Sequence, residues 1–415
     1  MISRFHGYNL FDMEISTMKQ QDNLAELFAQ VAKEISPQLS SWRRHLHAHP
    51  ELSYKEFKTM EFVCCELDKM GIPYKSGVSG TGIVATIKGV NPTSKLIALR
   101  ADLDALPITE LNKVDYISCN PGIMHACGHD VHTTSLLGAA LILSRNCEKW
   151  DGTIRLIFQP GEECLPGGAS LMVGEGVLKN PIPKHILGQH VFPDLPAGHV
   201  GMRSGTYMAS ADEFHIVVKG KGGHAALPEN QVNPLLVASE ILLALEKFIK
   251  ERPNPEMKTV LGFGFIEGKG ATNVIPNEVR LKGTFRSLNE EWRFNAHLKM
   301  REIVDSICYK RGATVDFHIP VGYPSVYNNP ELTKRMRVIA EEYLGEDKVH
   351  DLPERMTAED FSFFANEIPG CFYRLGTSSP TSDLGHSGLH TPTFDIDESA
   401  LEIGAGLMAY AAVMT

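Results

Sequence analysis

Apolar, β-branched stretches alternate with helical stretches over most of the chain, and this alternation constrains the fold more than any other feature. Strands are predicted at 82–89, 95–107, 152–159, 184–191 and 372–377. Apolar residues at helical spacing predict helices over 22–35, 40–48 and 54–70, and a further helix from Asp130 to Ser144 with Asp130 as its N-cap. Alternating strands and helices are typical of an α/β sheet that is largely parallel and covered on both faces.

The pattern changes between residues 212 and 323. There the predicted elements follow the order strand, helix, strand, strand, helix, strand, which is the split β-α-β-β-α-β arrangement of ferredoxin-like domains. Strand–helix alternation resumes afterwards. We therefore predict a discontinuous first domain, 1–211 and 324–415, with a compact second domain, 212–323, inserted into it. Residues 1–20 are expected to form a loosely ordered extension.

Composition places the chain among soluble globular proteins and argues against two classes of partner. Of its 415 residues 43% are hydrophobic and 22% are charged, and the formal net charge is -10. A general nucleic-acid-binding protein would carry a basic surface, and an acidic chain is not attracted to anionic membranes. No apolar run approaches the length of a membrane span. The eight cysteines form no C-x-x-C pair, so reduced thiols and a cytoplasmic location are expected.

Side chains that can bind metals are concentrated in MHACGHDVHTT, residues 124–134. The segment carries Cys127 and the histidines His125, His129 and His132. Residues two apart point in different directions on a helix but lie on the same side of an extended loop. Cys127 and His129 are therefore predicted to face one site from the loop. The local pattern fits metal ligands, a thiol nucleophile with its base, or a polar helix start.

Acidic side chains and an imidazole stand at the ends of three predicted strands. Asp102 and Asp104 follow one strand, Glu162 and Glu163 follow the next, and His190 ends a third. Ligand sites in parallel α/β sheets form beyond the carboxyl ends of the strands, so these groups and the CGHD loop are predicted to meet there. Imidazole, carboxylate and thiolate together suit zinc or a similar divalent ion. Taken singly, each group also fits a solvated turn or a satisfied core histidine.

Motifs covering nearly everything after residue 38 resemble those of the M20 metallopeptidase family, specifically its amidohydrolase branch. That branch includes N-acyl-amino-acid amidohydrolases, hippurate hydrolases and the auxin-conjugate hydrolases of plants. The matching motifs are, in order, WRRHLHAHPELSYKE, ALRADLDALPITE, MHACGHDVHT, LIFQPGEE, GQHVFP, GKGGHAALP, ATNVIPNEV, GTFRS, AEDFSFF and LHTPTFDIDE. The resemblance implies an α/β di-metal hydrolase domain with an inserted ferredoxin-like domain that serves as lid and dimerisation surface.

The resemblance also implies two divalent metal ions per subunit, with zinc as the first expectation and manganese, cobalt or nickel as alternatives. The implied ligands are Cys127, His129, Glu163, His190 and His390. Many M20 relatives carry His-x-Asp at the first strand, where this chain has Asp102-Leu103-Asp104. The resemblance therefore makes Cys127 the replacement ligand and places Asp104 behind the ligands as an orienting residue.

Catalytic and substrate-binding roles follow from the same resemblance. Glu162 matches the general base, which assists a metal-bound hydroxide in attacking the amide carbonyl and returns the proton to the leaving amine. His224 resembles a histidine that stabilises the oxyanion in a neighbouring subunit, and Asn273 and Arg286 resemble residues that bind the substrate carboxylate. A homodimer or tetramer assembled through the lid domain is expected. Glu229-Asn230 replaces the histidine frequent in this branch.

The expected activity is hydrolysis of a small N-acyl L-amino acid, such as an acetyl or benzoyl derivative, to a carboxylate and a free amino acid. A dipeptidase or carboxypeptidase of the same family is one alternative. A hydrolase that uses Cys127 with His129 or His125 is another, but it would need neither the Glu-Glu nor the Asp-x-Asp cluster. A non-catalytic metal-binding relative is a third, although it would have no use for Glu162 as a proton shuttle.

Overall fold

The computed structural model describes residues 24–415, and the chain divides into two compact units. The first comprises residues up to Gly205 together with Asn328–Leu352 and Phe364–Thr415, and the second comprises Thr206–Tyr327 and Pro353–Phe363. The predicted inserted range, 212–323, lies within the second unit. The predicted N-terminal extension lies outside the described residues.

Sixteen strands are formed within residues 24–415. They are β1 (Tyr74–Val78), β2 (Gly82–Lys88), β3 (Leu96–Asp102), β4 (Thr153–Gln159), β5 (His185–Pro196), β6 (Val200–Met202), β7 (Gly205–Met208), β8 (Asp212–Lys219), β9 (Gly223–His224), β10 (Thr259–Glu267), β11 (Val274–Ile275), β12 (Glu278–Ser287), β13 (Thr314–His318), β14 (Val326–Asn328), β15 (Val349–Asp351) and β16 (Gly370–Ser378).

The helices of the same part of the chain are α1 (within 24–34), α2 (Ser36–Ala48), α3 (Phe57–Lys69), α4 (His129–Arg145), α5 (Gly168–Gly174), α6 (Pro234–Lys250), α7 (Glu290–Arg311), α8 (Pro330–Leu344), α9 (Ser362–Glu367) and α10 (Ala400–Met414). The first helix ends at residue 34, close to the predicted end at 35, but the second begins at Ser36 rather than at residue 40, with Pro37 in its first turn. A proline is tolerated there because the first N–H groups of a helix have no partner within it.

The first unit is built on an eight-stranded sheet with the order β1-β2-β4-β3-β5-β16-β6-β15. Its four central strands, β4, β3, β5 and β16, are parallel neighbours, whereas β1, β2 and β6 each pair antiparallel with a neighbour. The predicted α/β class is confirmed, with the parallel arrangement confined to the centre and the β6–β15 pair.

Burial explains why the central strands are mostly apolar. Every residue of β3 is buried, and α4 is buried along almost its whole length because it packs against β3 on one side and α10 on the other. Parallel strands that are covered on both faces have no solvent-facing positions at which polar residues would be favoured. Several of the polar side chains described below, among them Asp102, His129 and Glu162, lie at or just beyond the ends of these elements.

The second unit contains a four-stranded antiparallel sheet with the order β10-β12-β8-β13. With α6 and α7, the chain order is β8-α6-β10-β12-α7-β13, which is the predicted β-α-β-β-α-β arrangement. Ile241 of α6 and Val304 of α7 belong to one core with Phe214 and Phe285 of the sheet. A separate two-stranded ribbon joins β9 to β11.

The helices within residues 24–415 include none with the length and apolar character that a membrane crossing requires.

Candidate metal centre

Side chains from four segments meet in the first unit, near the carboxyl ends of its central strands. Cys127 precedes α4 and His129 is its first residue. Glu162 and Glu163 follow β4, and His190 lies in β5. His390 comes from a turn between β16 and α10. All the ligands predicted from the sequence are therefore brought to one place.

Two overlapping groups of ligand atoms share the Cys127 sulfur. Cys127 Sγ lies 3.5 Å from Nε2 of His190 and 3.3 Å from Nε2 of His390. Nε2 of His390 is 3.2 Å from Oε1 of Glu163. The same oxygen is 3.9 Å from Nε2 of His129. One group thus joins Cys127 with His129 and His190, and the other joins Cys127 with Glu163 and His390.

Two atoms at the centre of this arrangement need a partner. Nε2 of His129 and Oε1 of Glu163 are buried and make no hydrogen bond with any residue in the described part of the chain. An unsatisfied buried polar atom costs about 1–3 kcal/mol. A divalent cation between these atoms would satisfy both, so the side chains present fit a metal site.

The charge distribution also fits a cation. Burial raises the pKa of the Cys127 thiol well above its ordinary value of 9.0, and the neighbouring carboxylates of Glu163 and Glu162 raise it further. Burial alone would lower the pKa of His129, but Asp102 and Asp104 outweigh it and raise this pKa to about 10. The carboxylates thus favour positive charge at this position, and a bound cation would stabilise the thiolate.

Hydrogen bonds behind the ligands fix which histidine nitrogen faces the site. Nδ1–H of His129 donates to Oδ1 of Asp104 over 3.2 Å, and Nδ1–H of His190 donates to the carbonyl of Val191 over 2.8 Å. In both rings Nε2 is then the nitrogen that faces the site and that would act as the ligand atom once a bound cation displaces any proton from it. Partners of this kind orient histidine ligands and raise their basicity in metal sites.

Two buried carboxylates hold the turn that carries the glutamate pair. The N–H of Gly161 donates to Oε1 of Glu56 over 2.8 Å. The N–H of Glu162 donates to Oδ1 of Asp104, and the N–H of Glu163 donates to Oδ2 of the same residue, both over 3.0 Å. Three consecutive amides are thereby fixed. Asp104 thus holds a metal-facing histidine and the backbone of Glu162, whereas the role of Glu56 was not predicted from the sequence.

The start of α4 differs from the prediction. Its N-cap is Gly128, in the left-handed region at φ 80°, where an added Cβ would lie 2.4 Å from Val191. Asp130 does not cap the helix: it is buried and accepts from Nε of Arg43 over 3.0 Å and from Nδ1 of His47 over 2.7 Å. The predicted N-cap is therefore wrong, because an arginine from α2 takes the carboxylate.

The same arginine reaches the segment that carries His390. Nη2 of Arg43 donates to Oδ1 of Asp395 over 2.7 Å, and the Arg43 side chain is fully buried. His390 itself has φ 60°, a conformation that non-glycine residues adopt at an energetic cost and often at functional sites. Arg43 therefore joins the two segments that supply Cys127, His129 and His390.

The position of His190 needs a further correction, because β5 continues past it to Pro196 and His190 lies inside the strand. Sequence reasoning also assigned no role to His132. Its Nδ1–H donates to Oδ1 of Asp102 over 2.6 Å, and its Nε2 accepts from the N–H of Val191 over 2.9 Å. This histidine thus fixes the strand beside His190. The three-residue spacing of His129 and His132, which places both on one face of α4, could have indicated this role.

His125, the remaining histidine of the loop, does not join the ligand groups formed by the described residues. It is buried, and burial lowers its pKa to about 4. His125 is therefore neutral near pH 7.

Comparison with known proteins now places the chain in a family. Residues 98–413 match peptidase family M20/M25/M40. This chain belongs to that family. The chain is also similar to the N-acetyl-L-cysteine deacetylase of Bacillus subtilis, with 37% identity over 398 residues, which is 95% of this chain and 91% of that protein. The thermostable carboxypeptidase 2 of Saccharolobus solfataricus is 38% identical over 387 residues, which is 92% of this chain and 96% of that protein.

A solved structure agrees with this assignment. The crystal structure of the YXEP protein of Bacillus subtilis, described as a dinuclear metal-binding peptidase of family M20, matches with a TM-score of 0.79 and 34% identity. The match covers 92% of this chain and 98% of that chain. The predicted resemblance to the amidohydrolase branch is confirmed, and the protein is a metal-binding M20 hydrolase that acts on amide bonds.

The remaining predicted site residues of this M20 hydrolase lie in the second unit. His224 is exposed on β9 and pairs in register with Val274 on β11, next to Asn273. The N–H of Ala225 donates to the carbonyl of Asn273 over 3.0 Å, so the ribbon brings His224 and Asn273 together. Arg286 lies on a different strand, near the end of β12.

Proposed function

We propose that this M20 hydrolase cleaves N-acyl L-amino acids, such as acetyl or benzoyl derivatives, into a carboxylate and a free amino acid. The observation that carries the proposal is the grouping of His129, Glu162 and Glu163, whose ligand atoms lie within 4.8 Å of one another. A carboxylate that can move a proton therefore lies beside the metal-facing atoms. The similarity to an N-acetyl-L-cysteine deacetylase supports an acyl group on an amino acid as the substrate class.

The proposal includes two divalent metal ions per subunit. Zinc is the expected metal, and manganese, cobalt or nickel are the alternatives. Their ligands would be Cys127, His129, Glu163, His190 and His390. When bound, the ions act as Lewis acids that polarise the amide carbonyl and acidify water. A thiolate with imidazole ligands suits zinc.

Glu162 is assigned the proton transfers. Its carboxylate would accept a proton from the attacking water and deliver it to the nitrogen of the leaving amine. The backbone of Glu162 is fixed by Asp104, whose carboxylate also orients His129. Asp104 therefore keeps the base and a metal ligand in one geometry, which is the arrangement that positioned proton transfer requires.

The second unit would supply substrate contacts through Asn273 and Arg286. The Arg286 side chain is partly buried and makes no hydrogen bond or ion pair with residues 24–415. Burial lowers the pKa of this arginine despite the opposing effect of Asp212. An arginine without an acidic partner is suited to a substrate carboxylate, which its planar fork can bind with two hydrogen bonds.

His224 is proposed to stabilise the oxyanion formed at the amide carbonyl of a second subunit. Its exposure on the β9–β11 ribbon supports this role. Because this role needs another subunit, we also propose that the protein is a homodimer or a tetramer assembled through the second unit.

A carboxypeptidase or dipeptidase activity is the second candidate, supported by the similarity to thermostable carboxypeptidase 2. A cysteine-dependent hydrolase is disfavoured because burial and two carboxylates raise the pKa of Cys127, which opposes the thiolate that a nucleophile needs. Rates on N-acetyl and N-benzoyl amino acids, compared with rates on dipeptides sharing the same C-terminal residue, distinguish the two candidates.

The proposed base is tested by Glu162→Gln in zinc-loaded protein. We expect turnover to fall by at least about 100-fold while the bound zinc, measured by elemental analysis, is unchanged. Glu367→Gln, at an exposed glutamate of α9, is the control and should retain both activity and metal. Normal turnover in Glu162→Gln would refute the role of Glu162, and hydrolysis of dipeptides alone would refute the substrate class.

A further inference from the structure

Arg155 on β4 is a buried arginine with no acidic partner, and it lies outside the metal centre. Only 8% of the residue is exposed, and within residues 24–415 it forms no ion pair with a carboxylate. Burial lowers the pKa of Arg155, and no nearby carboxylate opposes the effect. A buried charge without a counter-charge is costly, so the site calls for an explanation.

The protein occupies only one end of this guanidinium. Nη1 donates to the carbonyl of Val177 over 2.7 Å and lies 3.5 Å from that of Lys179. Nε and Nη2 have no acceptor in the described chain, yet they are not among its fully enclosed unsatisfied atoms. They therefore face open space. These two nitrogens form the edge that binds a carboxylate or phosphate with two parallel hydrogen bonds.

That open space is a groove of about 400 Å³. Thr86 lines it directly opposite Arg155 in the β2–β4 register, and its hydroxyl makes no hydrogen bond with residues 24–415. Lys75 and Lys179 also line the groove and are exposed. The one carboxylate among the lining residues, Glu175, accepts through Oε1 from both N–H and Oγ of Ser79.

We propose that this groove binds a small oxyanion, either a phosphate or a carboxylate group, with the free edge of Arg155 as its anchor. The hydroxyl of Thr86 lies beside that edge, and the two lysines supply positive charge at the groove. A purely structural role, in which Arg155 ties the 177–179 turn to β4, would use Nη1 alone. It would leave the bidentate edge without a function.

The test is calorimetric titration of the zinc-loaded protein with inorganic phosphate and, separately, with acetate. Wild-type protein, Arg155→Met and Arg155→Lys are compared, with Arg145→Met as the control at an exposed arginine of α4. Any anion binding at the metal centre is common to all four proteins. We expect a second, saturable binding component that is weakened at least 10-fold in both Arg155 variants and retained in Arg145→Met.

Arg155→Lys keeps the charge and a donor for the carbonyls but lacks the planar fork, so it tests the proposal even if Arg155→Met fails to fold. The anion that binds more tightly to the Arg155-dependent component identifies the ligand as a phosphate or a carboxylate. The proposal is overturned if neither anion gives such a component, or if Arg155→Lys binds both anions as wild type does.

Discussion

At the scale of single residues, Asp104 is the side chain on which the geometry of the centre depends most. One oxygen contacts His129 and the amide of Glu162, and the other accepts from the amide of Glu163 and the hydroxyl of Ser53. Asn has almost the same shape but only one accepting oxygen, so Asp104→Asn leaves at least one buried amide unpaired. We expect zinc affinity to fall by about 10–100-fold, measured by competition with a chelator.

The matched control is Ser53→Ala, which removes one of the four contacts and keeps the carboxylate. Its zinc affinity should change far less than that of Asp104→Asn. Equal affinity in wild type and Asp104→Asn would show that the carboxylate does not orient the site.

Some residues of this centre could be predicted from the sequence and others could not, for physical reasons. Asp104 and Glu163 were found because the ends of parallel strands meet at one edge of a sheet. His390 lies in a turn with no periodicity and was identified through the family motif. The role of Asp130 was predicted wrongly because local propensity favours an N-cap, whereas Arg43, 87 residues away in the sequence, takes the carboxylate.

At the scale of elements, α2 supplies Arg43, which holds the start of α4 and the segment before α10. Removing one partner of a buried ion pair lowers the free energy of unfolding by about 3–5 kcal/mol, whereas an exposed pair contributes about 0–1 kcal/mol to it. Arg43→Lys cannot make both bonds, to Asp130 and Asp395, with the same planar geometry. We expect it to weaken zinc binding at least 10-fold, because Cys127 and His390 lie on the two segments that Arg43 joins.

The neighbouring Arg44 offers a matched control, since it pairs with Glu398 from an exposed position. Arg44→Lys should bind zinc like the wild type, and the same result for Arg43→Lys would contradict the proposed coupling of the two segments. Stability of the zinc-free variants, measured by urea unfolding, separates a loss of fold from a loss of site geometry.

The elements themselves were largely predictable, because burial and backbone hydrogen bonding leave a strong periodic signal. The alternation of strands and helices gave the α/β class, and the changed order gave the β-α-β-β-α-β arrangement. The antiparallel pairing of β1, β2 and β6 was not predicted. Strand direction at a sheet edge depends on connections rather than on side-chain patterning.

At the scale of the whole molecule, buried histidines make stability depend on pH. Burial lowers the pKa of His185 to about 3, from an ordinary value of 6.5. Between these values the unfolded chain binds a proton that the folded chain does not, so folded stability falls as the pH drops from 6.5 towards 3. Each pH unit contributes at most about 1.4 kcal/mol.

His185→Gln should therefore show a shallower loss of unfolding free energy between pH 6.5 and 4 than the wild type. Urea unfolding of metal-free protein measures this slope without a contribution from metal release. Lys58→Gln, an exchange at an exposed position, should keep the wild-type slope. A wild-type slope in His185→Gln would mean that His185 titrates normally in the folded chain.

Metal binding should stabilise the two units unequally, because all the proposed ligands lie in the first one. A ligand that binds the folded state alone stabilises it by about 4 kcal/mol when present at a thousand times its dissociation constant. Zinc should therefore slow amide hydrogen exchange in β3, β4 and α4 and leave β8 and β12 unchanged. Asp212→Asn provides the converse control, since it removes a carboxylate that pairs with Arg293 inside the second unit. This variant should show faster amide exchange in β8 with or without zinc. Equal protection of both units by zinc would contradict an assignment of the cations to the first unit alone.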